Sequence, residues 1–431
     1  MSSRSKLKFQ LRKIRKFFSL LGPGLTTGAA DDDPSGIATY SQTGAQFGYG
    51  QLWTALYMLP FMTAVQEACA RIGLVTGKGI AAVVKQHYNR KVLYAVVGLV
   101  VVANTINIGA DIGAMAAAAQ LLMPVDFVVL TLLFTAIILT LEIFTNYRVY
   151  SRILKWLALA LLAYPITVFI VDQPWGTVLK ATVIPHFEFS FDFLFIITGV
   201  FGTTITPYMF FWQASQEVEE EKAKGLIRDG KPRIGWPHIH AMRQDNNIGM
   251  IISEFTTWCI LLVGGTVLHN NGITDIKNAA DAAKALEPLV HSFPNAGYLA
   301  KLIFSIGIIG LGLLAVPVLS GSAAYAVAEA FDWNASLNLK LRKAHGFYGV
   351  ITIATIVGLI INFIGIDPLK ALVYTAVING VAAVPLLFLI VKIAASDKIM
   401  GEYKSGVLSK ILLWATFIIM GAAAVALFFT L

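Results

Sequence analysis

The chain has 431 residues, of which 57% are hydrophobic and 13% charged, and its mean hydropathy is +0.70. A soluble domain carries about 25% charged residues, so the composition excludes an ordinary soluble protein. Repeated apolar runs long enough to cross ~30 Å of hydrocarbon predict an all-α polytopic membrane protein. The net charge of +8 comes from residues scattered between these runs, which favours membrane orientation over nucleic-acid binding.

The chain begins with a basic arm, residues 1–18, that has no A-x-A-like cleavage site and resembles a cytoplasmic anchor. Eleven transmembrane helices are predicted after it. Cys69 and Cys259 both lie within apolar runs, which predicts neither a disulfide framework nor a thiolate metal site. The predicted spans are 19–46, 51–74, 92–120, 126–146, 152–172, 190–220, 246–268, 298–329, 345–365, 368–392 and 409–430.

The distribution of lysine and arginine predicts the orientation of these spans. With the N-terminus in the cytoplasm, nearly all basic residues fall in the arm and in the loops on the cytoplasmic side. The basic residues that fall elsewhere are Lys180, Lys277, Lys284, Lys301 and Lys370. We therefore expect a plasma-membrane protein with a cytoplasmic N-terminus and, for eleven spans, an extracellular C-terminus.

Two spans are interrupted at corresponding places. Span 1 contains Asp33-Pro34-Ser35-Gly36, and span 6, five spans later, contains Thr206-Pro207. Proline removes a backbone donor and clashes with the preceding turn, so both helices are predicted to break near the bilayer midplane. A single proline is often only a kink, but two breaks five spans apart favour an inverted repeat around a binding site. The repeats are predicted at 19–172 and 190–392, with an added helix at 409–430.

The chemistry of the two breaks indicates a cation site. Unwound backbone leaves free carbonyl groups, and the C-terminal ends of half-helices carry partial negative charge. An acidic residue within the membrane marks a functional site by default, and Asp33, next to the proline, is the best candidate. Asp31 and Asp32 point elsewhere, since successive helical residues turn by ~100°. One of them is predicted to face an aqueous vestibule, and solvated rim charge is the alternative.

Specific motifs at these breaks resemble the Nramp family of divalent-metal transporters. The segment GPGLTTGAADDDPSGIATYSQTGAQFGYGQLW is similar to the family's first span, where the signature is Asp-Pro-Gly-Asn. GVFGTTITPYMFFWQAS is similar to the sixth span, where the signature is Met-Pro-His. Weaker similarity extends over spans 2, 3 and 8. The resemblance implies the leucine-transporter fold, with a metal held between the breaks of spans 1 and 6.

Departures from the family motifs suggest which metal is carried. Asp33 matches the family's aspartate ligand, whereas Gly36 replaces its asparagine, Thr206 its methionine and Tyr208 its histidine. The family's backbone-carbonyl ligand falls at Thr203. Without the soft thioether, the site is expected to be wider and to use only oxygen ligands, which suit hard ions. Mg²⁺ keeps several of its waters, so this pattern resembles the Nramp-related magnesium transporters, a branch that also carries Mn²⁺.

Span 3 supports the same branch. Proton-coupled Nramps have an aspartate and a glutamate there, and the matching residues in this chain are Asn107 and Ala110. Neither residue titrates, so the resemblance implies transport that is not coupled to protons. Asp111 lies four residues from Asn107, and a small shift of the alignment would restore an acid.

Other polar residues have two interpretations each. Glu67 lines a cavity or pairs with another helix, and Glu254 is expected to pair with a basic or hydroxyl group. The run Glu217–Glu221 is a solvated face or, alternatively, an acidic exit vestibule. His238 and His240, in the segment 236–240, are predicted to lie in a structured loop rather than in a metal sensor.

Several classes of function compete with magnesium transport. A proton-coupled Mn²⁺/Fe²⁺ transporter is the main alternative. It is disfavoured because this sequence lacks the soft methionine ligand that would favour those metals. An amino-acid transporter of the same fold is disfavoured because Asp33 would repel a substrate carboxylate. A membrane enzyme is disfavoured because the sequence shows no nucleophile–base pair, no H-E-x-x-H zinc motif and no phosphate loop. The expected partners are divalent metal ions and the lipid bilayer, with no cofactor, nucleic acid or obligatory protein partner.

Overall fold

The computed structural model describes residues 23–145, 158–228 and 231–430. Within these ranges the regular secondary structure is helical, apart from one two-residue antiparallel strand pair, β1 (Ile227–Arg228) and β2 (Lys231–Pro232). The predicted basic arm lies outside the described residues, as do the first residues of the predicted spans 1 and 5. The predicted all-α class is confirmed.

The first half of the chain contains two short helices in place of one continuous first span. The helices are α1 (Pro23–Asp31), α2 (Pro34–Phe47), α3 (Trp53–Thr76), α4 (Ile80–His87), α5 (Arg90–Gln120), α6 (Phe127–Phe144), α7 (Ala163–Ile170) and α8 (Trp175–Val183). A 3₁₀ turn at Ala158–Leu162 precedes α7.

The second half repeats this interruption in its first span. Its helices are α9 (Phe191–Thr204), α10 (Pro207–Ala223), α11 (Trp236–Val263), α12 (Ala279–Ala283), α13 (Glu287–Val290), α14 (Ala296–Ala330), α15 (His345–Ile361), α16 (Pro368–Ala394), α17 (Asp397–Met400) and α18 (Val407–Thr430). A π-helical turn, Gly264–Leu268, extends α11. Short 3₁₀ turns lie at His269–Asn271, Lys284–Leu286, Leu341–Lys343 and Gly401–Tyr403.

Seven helical segments of the described residues are long and apolar enough to cross a membrane. They correspond to predicted spans 3, 4, 6, 7, 8, 10 and 11, and α15 and the 159–170 segment are shorter apolar helices. A multi-pass membrane protein is therefore confirmed. The exact number of eleven spans stays a prediction, because span 1 is divided and span 2 contains charged residues.

Both predicted breaks are present. Helix α1 ends at Asp31 and α2 begins at Pro34, while α9 ends at Thr204 and α10 begins at Pro207. In each case the proline occupies the first turn of the second half-helix, where its missing N–H costs nothing. The two breaks leave half-helix ends inside the membrane-spanning bundle.

Close backbone contacts hold the broken helices against their neighbours. A Cβ atom at Gly28 of α1 would lie 2.5 Å from the carbonyl oxygen of Gly249 in α11. A Cβ atom at Gly380 of α16 would lie 2.5 Å from the carbonyl oxygen of Thr198 in α9. Because any side chain would collide there, glycine permits the close helix packing that is typical of membrane bundles.

The predicted loop at 236–240 is wrong, since these residues form the first turn of α11. Pro237 is compatible with this first turn, and the Gly235 amide donates to Nδ1 of His238 at 3.1 Å. This hydrogen bond satisfies the free Gly235 amide at the start of the helix. The hydrophobic periodicity of the sequence does not reveal this helix start. Helix α11 therefore begins well before residue 246, where the hydropathy pattern placed it.

Candidate functional site

Asp33 lies in the gap between α1 and α2 and connects the elements around it. Its Oδ1 accepts a hydrogen bond of 2.7 Å from the Gly36 amide, so Asp33 is the N-cap of α2. Its Oδ2 faces Asn107 Nδ2 of α5 at 3.3 Å and the Tyr208 hydroxyl of α10 at 3.4 Å. One carboxylate thus contacts groups from both breaks and from α5.

Tyr208 bridges the two breaks directly. Its hydroxyl donates to the carbonyl oxygen of Ala30 at 2.9 Å, near the C-terminal end of α1. This carbonyl is one of those left without a helical partner when α1 ends. The backbone carbonyl of Tyr208 accepts in turn from the Ser322 hydroxyl of α14 at 2.8 Å. The phenol therefore links the two breaks and satisfies a backbone carbonyl.

Gly36 and Thr203 face each other across the site. A Cβ atom at Gly36 would lie 3.2 Å from the carbonyl oxygen of Asp31 and 3.4 Å from Thr203 Oγ1. Ser35 Oγ, next to Gly36, lies 3.3 Å from the same Thr203 hydroxyl. The space beside Gly36 is narrow in this arrangement, so the wider pocket expected from the missing amide ligand stays a prediction.

Thr206 is the N-cap residue of α10, but its side chain caps no amide. Its hydroxyl is buried and has no hydrogen-bond partner among the described residues. A buried hydroxyl without a hydrogen-bond partner destabilises the folded protein. A bound cation or one of its waters would supply the missing contact. This position is compatible with the predicted ligand role.

The five predicted site residues lie at or beside the two breaks and are shielded from solvent. None of the four with side chains exposes more than 2% of its surface, and Gly36 is buried as well. They provide one carboxylate and three hydroxyl groups, with half-helix carbonyls next to them. The five are Asp33, Gly36, Thr203, Thr206 and Tyr208.

Two residues of α5 extend the site. Asn107 contacts Asp33 through its amide nitrogen, while its own Oδ1 has no partner among the described residues. Asp111, one turn further along α5, is fully buried, and neither of its oxygens has a hydrogen-bond partner in the described part of the chain. In the sequence, Asn107 is notable only because it replaces an acidic residue of proton-coupled Nramps. The contact of Asn107 with Asp33 was not predicted, because it depends on how α5 crosses the break.

The prediction for Asp31 and Asp32 is wrong, because neither faces an aqueous vestibule or a solvated rim. Their exposures are 0% and 2%. Asp31 Oδ2 accepts a 2.5 Å hydrogen bond from Ser253 of α11. The chain leaves its helical path at Asp32, so the break directs these carboxylates towards α11.

Glu254, next to Ser253, was expected to pair with a basic or hydroxyl group, but neither of its oxygens has a hydrogen-bond partner among the described residues.

Glu67 belongs to an ion-pair network instead of a cavity. Its Oε1 accepts from Nε of Arg71, in the same helix, at 3.0 Å and from Nε of Arg243 in α11 at 2.8 Å. Arg71 is buried and also donates to the carbonyl oxygens of Tyr403 and Lys404, both at 3.1 Å. The interpretation of Glu67 as a partner of another helix is therefore the correct one.

The donor set at the breaks consists of oxygen atoms. In the described ranges no three His, Cys, Asp or Glu side chains gather to hold a metal directly. The side-chain donors of the five site residues are all oxygens, which hard divalent cations prefer.

Comparisons with known proteins agree with this arrangement. The sequence profile of the family "Natural resistance-associated macrophage protein-like", Nramp, matches residues 24–430. The divalent metal cation transporter MntH of Klebsiella pneumoniae is 26% identical over 399 residues, which cover 91% of this chain and 88% of the relative. MntH from a second strain of that species is 26% identical over 384 residues, covering 87% and 86%.

Solved structures share the fold at low sequence identity. The manganese transporter of Eremococcus coleocola, in complex with an aromatic bis-isothiourea compound, has a TM-score of 0.71 at 16% identity, covering 94% of this chain and 85% of that one. MhsT in complex with L-phenylalanine has a TM-score of 0.62 at 12% identity, covering 95% and 98%. These similarities confirm the predicted leucine-transporter architecture. With the family profile matching nearly the whole chain, the protein belongs to the Nramp family, whose members are transporters of divalent metal cations and not enzymes.

Proposed function

We propose that this protein carries Mg²⁺, and also Mn²⁺, across the plasma membrane by alternating access without coupled proton movement. The observation that carries the proposal is the position of Asp33, a single carboxylate between the two breaks that is surrounded by hydroxyl and amide groups. Mg²⁺ is commonly bound through one or two carboxylates while it retains several waters. The relatives named as manganese or divalent metal transporters support the cation class.

The residues at the site favour Mg²⁺ over softer metals. Thr206 stands where the family has a methionine, so a thioether that would select transition metals is replaced by a hydroxyl. Gly36 contributes no side-chain ligand, so a water of the ion would take the place of that ligand. A hydrated ion fits there when the neighbouring side chains move apart. Mn²⁺ also accepts oxygen ligands and is therefore a second substrate.

The proposed mechanism moves one group of helices against the other around a fixed site. We assign the repeats to 19–172 and 190–392, with 409–430 as an additional helix and the arm 1–18 in the cytoplasm. A cavity of about 330 Å³ lies between α2, α9 and α16, and Asp192 and Asp275 are among its lining residues. By the charge bias this cavity is on the extracellular side.

Uptake of Mg²⁺ requires no proton. The membrane potential contributes ~2.3 kcal/mol per charge per 100 mV, which drives a divalent ion inwards. Asn107, Ala110 and Tyr208 occupy the positions where proton-coupled relatives have titratable residues, and a phenol does not titrate near neutral pH. These residues support uncoupled transport.

A proton-coupled Mn²⁺/Fe²⁺ transporter is the second candidate. The observation in its favour is Asp111, whose carboxylate is buried without a hydrogen-bond partner in the described residues and lies within electrostatic range of Asp33. An acid in this position is able to exchange protons with the site. The two candidates differ in whether metal entry acidifies the vesicle interior.

Uptake into proteoliposomes tests the proposed function. A Mg²⁺-sensitive dye inside the vesicles should report uptake that is driven by a negative interior potential. The Asp33→Ala variant should show none, because it lacks the charged ligand. Mn²⁺ uptake with no Mg²⁺ signal would favour the second candidate, and full Mg²⁺ uptake by Asp33→Ala would place the binding site elsewhere.

A further inference from the structure

A second polar cavity lies at the end of the bundle that the charge bias assigns to the cytoplasm. We call it the inner cavity. It has a volume of about 260 Å³ and lies between the start of α1, the end of α10 and the first turns of α11. Its charged and histidine lining residues are Glu217, Glu220, Glu221, Lys224, Asp245 and His238.

Among the described residues, acidic side chains outnumber basic ones in the lining of the inner cavity. Four carboxylates and one lysine line it there, and that lysine, Lys224, pairs with Glu220. Glu221 exposes 2% of its surface, and neither of its oxygens has a hydrogen-bond partner among the described residues. Glu217 exposes 5% and lies within electrostatic range of the other three acids. Buried carboxylates without partners are costly unless a cation or a proton compensates them.

These side chains do not form the solvated charge run that the sequence first favours. Helix α10 continues to Ala223, so residues 217 and 221 share one face, four residues apart. That face turns towards α1 and α11 and lines the cavity. The alternative interpretation, an acidic vestibule, matches this placement.

A short chain of hydrogen bonds runs from α1 through α10 to the inner cavity. The Thr27 hydroxyl of α1 donates to Oε1 of Gln213, and Nε2 of Gln213 donates to Oε1 of Glu217 at 3.1 Å. Asp245 holds the start of α1 by accepting from the Gly24 amide at 2.7 Å. Movement of α1 away from α10 would break the contact between Thr27 and Gln213.

We propose that the inner cavity is a second, weak binding site for a hydrated divalent cation on the release path from the central site. The inference rests on the proposed transport function, because the cavity would receive the ion that leaves Asp33. The described residues hold no group of three metal-binding side chains, so the ion is bound through its own water shell. A cavity of about 260 Å³ has space for such a shell, since a water occupies ~30 Å³ in the liquid.

Weak binding suits a release site. Contacts through water and long-range attraction raise the local cation concentration without removing the ion's hydration shell. The ion therefore exchanges quickly with the cytoplasm. Because the attraction is largely electrostatic, it should also weaken as ionic strength rises.

Equilibrium binding of Mn²⁺ to the full-length purified protein tests this site. The electron paramagnetic resonance signal of free aqueous Mn²⁺ reports how much ion is bound at each concentration. The wild type should show a central class of site and a weaker second class. The double variant Glu217→Gln, Glu221→Gln should weaken the second class by about tenfold or more, which corresponds to ~1.4 kcal/mol. The glutamine at position 217 keeps the oxygen that accepts the hydrogen bond from Gln213. Binding to the central class of site should stay intact, and this result would also show that the variant is folded.

Two further variants separate this proposal from the proposed function. Asp33→Asn should lose the central class and retain the weaker one. Glu402→Gln, which removes an exposed acid from the same side of the protein, should change neither class. An unchanged second class in the double variant would overturn the inner site while leaving the transport function intact. Equal loss in Glu402→Gln would also overturn it, because the weak binding would then come from general surface charge.

Discussion

Asp33 has two roles that depend on different oxygens of the same carboxylate. Oδ1 caps α2 by accepting from the Gly36 amide, while Oδ2 faces Asn107 and Tyr208 at the centre of the site. The cap fixes the direction of the side chain, so the second oxygen reaches the space between the breaks. A cation held there gains a ligand whose position is set in advance, which lowers the entropic cost of binding.

The two roles are separable by substitution. Asparagine is as good an N-cap as aspartate, so Asp33→Asn should retain the helix cap while removing the charge. We expect its apparent cation affinity to fall by about 100-fold or more, beyond the range in which binding and uptake are detected, with thermal stability close to that of the wild type. Asp33→Ala should lose the same affinity and, in addition, about 1 kcal/mol of stability. Isothermal titration with Mg²⁺ and thermal unfolding in detergent measure the two effects.

Restoring the family ligands should change metal preference. The double variant Gly36→Asn, Thr206→Met reintroduces an amide and a thioether, and the thioether favours Mn²⁺ and Cd²⁺ over Mg²⁺. We expect the ratio of Mn²⁺ to Mg²⁺ affinity to rise by about tenfold, or ~1.4 kcal/mol. Competition between the two ions in uptake assays measures this ratio. Thr206→Val, which removes the hydroxyl without adding sulfur, is the matched control, and an equal rise in that variant would contradict the role of the thioether.

At the scale of helices, the two breaks are stabilised by different neighbours. Helix α1 is held to α11 by the close approach at Gly28 and to α10 by Tyr208. Helix α9 packs closely on α16 around Gly380. Because each half-helix contacts different neighbours, it is able to move when the contacts to one neighbour break. Alternating access requires such movement.

The Glu67–Arg71–Arg243 network should be essential for stability at the inner end of the bundle. Arg71→Met removes a buried charge that links α3 to the 401–404 turn, and it leaves two backbone carbonyls without their donor. Breaking a buried pair costs about 3–5 kcal/mol, so a clear drop in melting temperature is expected. Fluorescence-detected thermal unfolding measures it. Lys404→Met, which breaks the exposed pair with Asp397, is the control and should have almost no effect. Equal melting temperatures for both variants would contradict the role of the network.

Sequence patterns predicted the breaks because proline and glycine interrupt helices for local steric reasons. They did not predict the burial of Asp31 and Asp32, because a break ends the regular turn of 100° per residue on which helical-face arguments depend. The start of α11 at Trp236 was missed for a related reason. Its first turns are polar and line a cavity, so hydropathy alone assigned them to a loop.

At the scale of the whole molecule, the charge bias predicts a topology that labelling can test. Cys69 and Cys259 are both buried, so the native cysteines should give little background. In intact cells, a membrane-impermeant maleimide should label Thr430→Cys, at the end of α18, from the outside. Glu402→Cys, in the turn before α18, should be labelled only after permeabilisation. The opposite pattern would reverse the predicted orientation.

The family and the architecture followed from the sequence because two specific motifs occur five spans apart. The identity of the ion depends instead on how far the site opens during transport, and the space beside Gly36 is narrow in this structure. No sequence pattern reports how the side chains around a hydrated ion move apart. Direct flux measurement distinguishes uncoupled transport of Mg²⁺ and Mn²⁺ from proton-coupled transport of Mn²⁺.

The most direct test of the account is simultaneous recording of Mg²⁺ entry and internal pH in proteoliposomes at a fixed negative potential. We predict Mg²⁺ uptake that is abolished in Asp33→Asn, with an internal pH that stays flat during uptake. The same recording with Asp111→Asn should be unchanged, because Asp111 carries no proton in this mechanism. Acidification that accompanies metal entry and disappears in Asp111→Asn would contradict uncoupled magnesium transport.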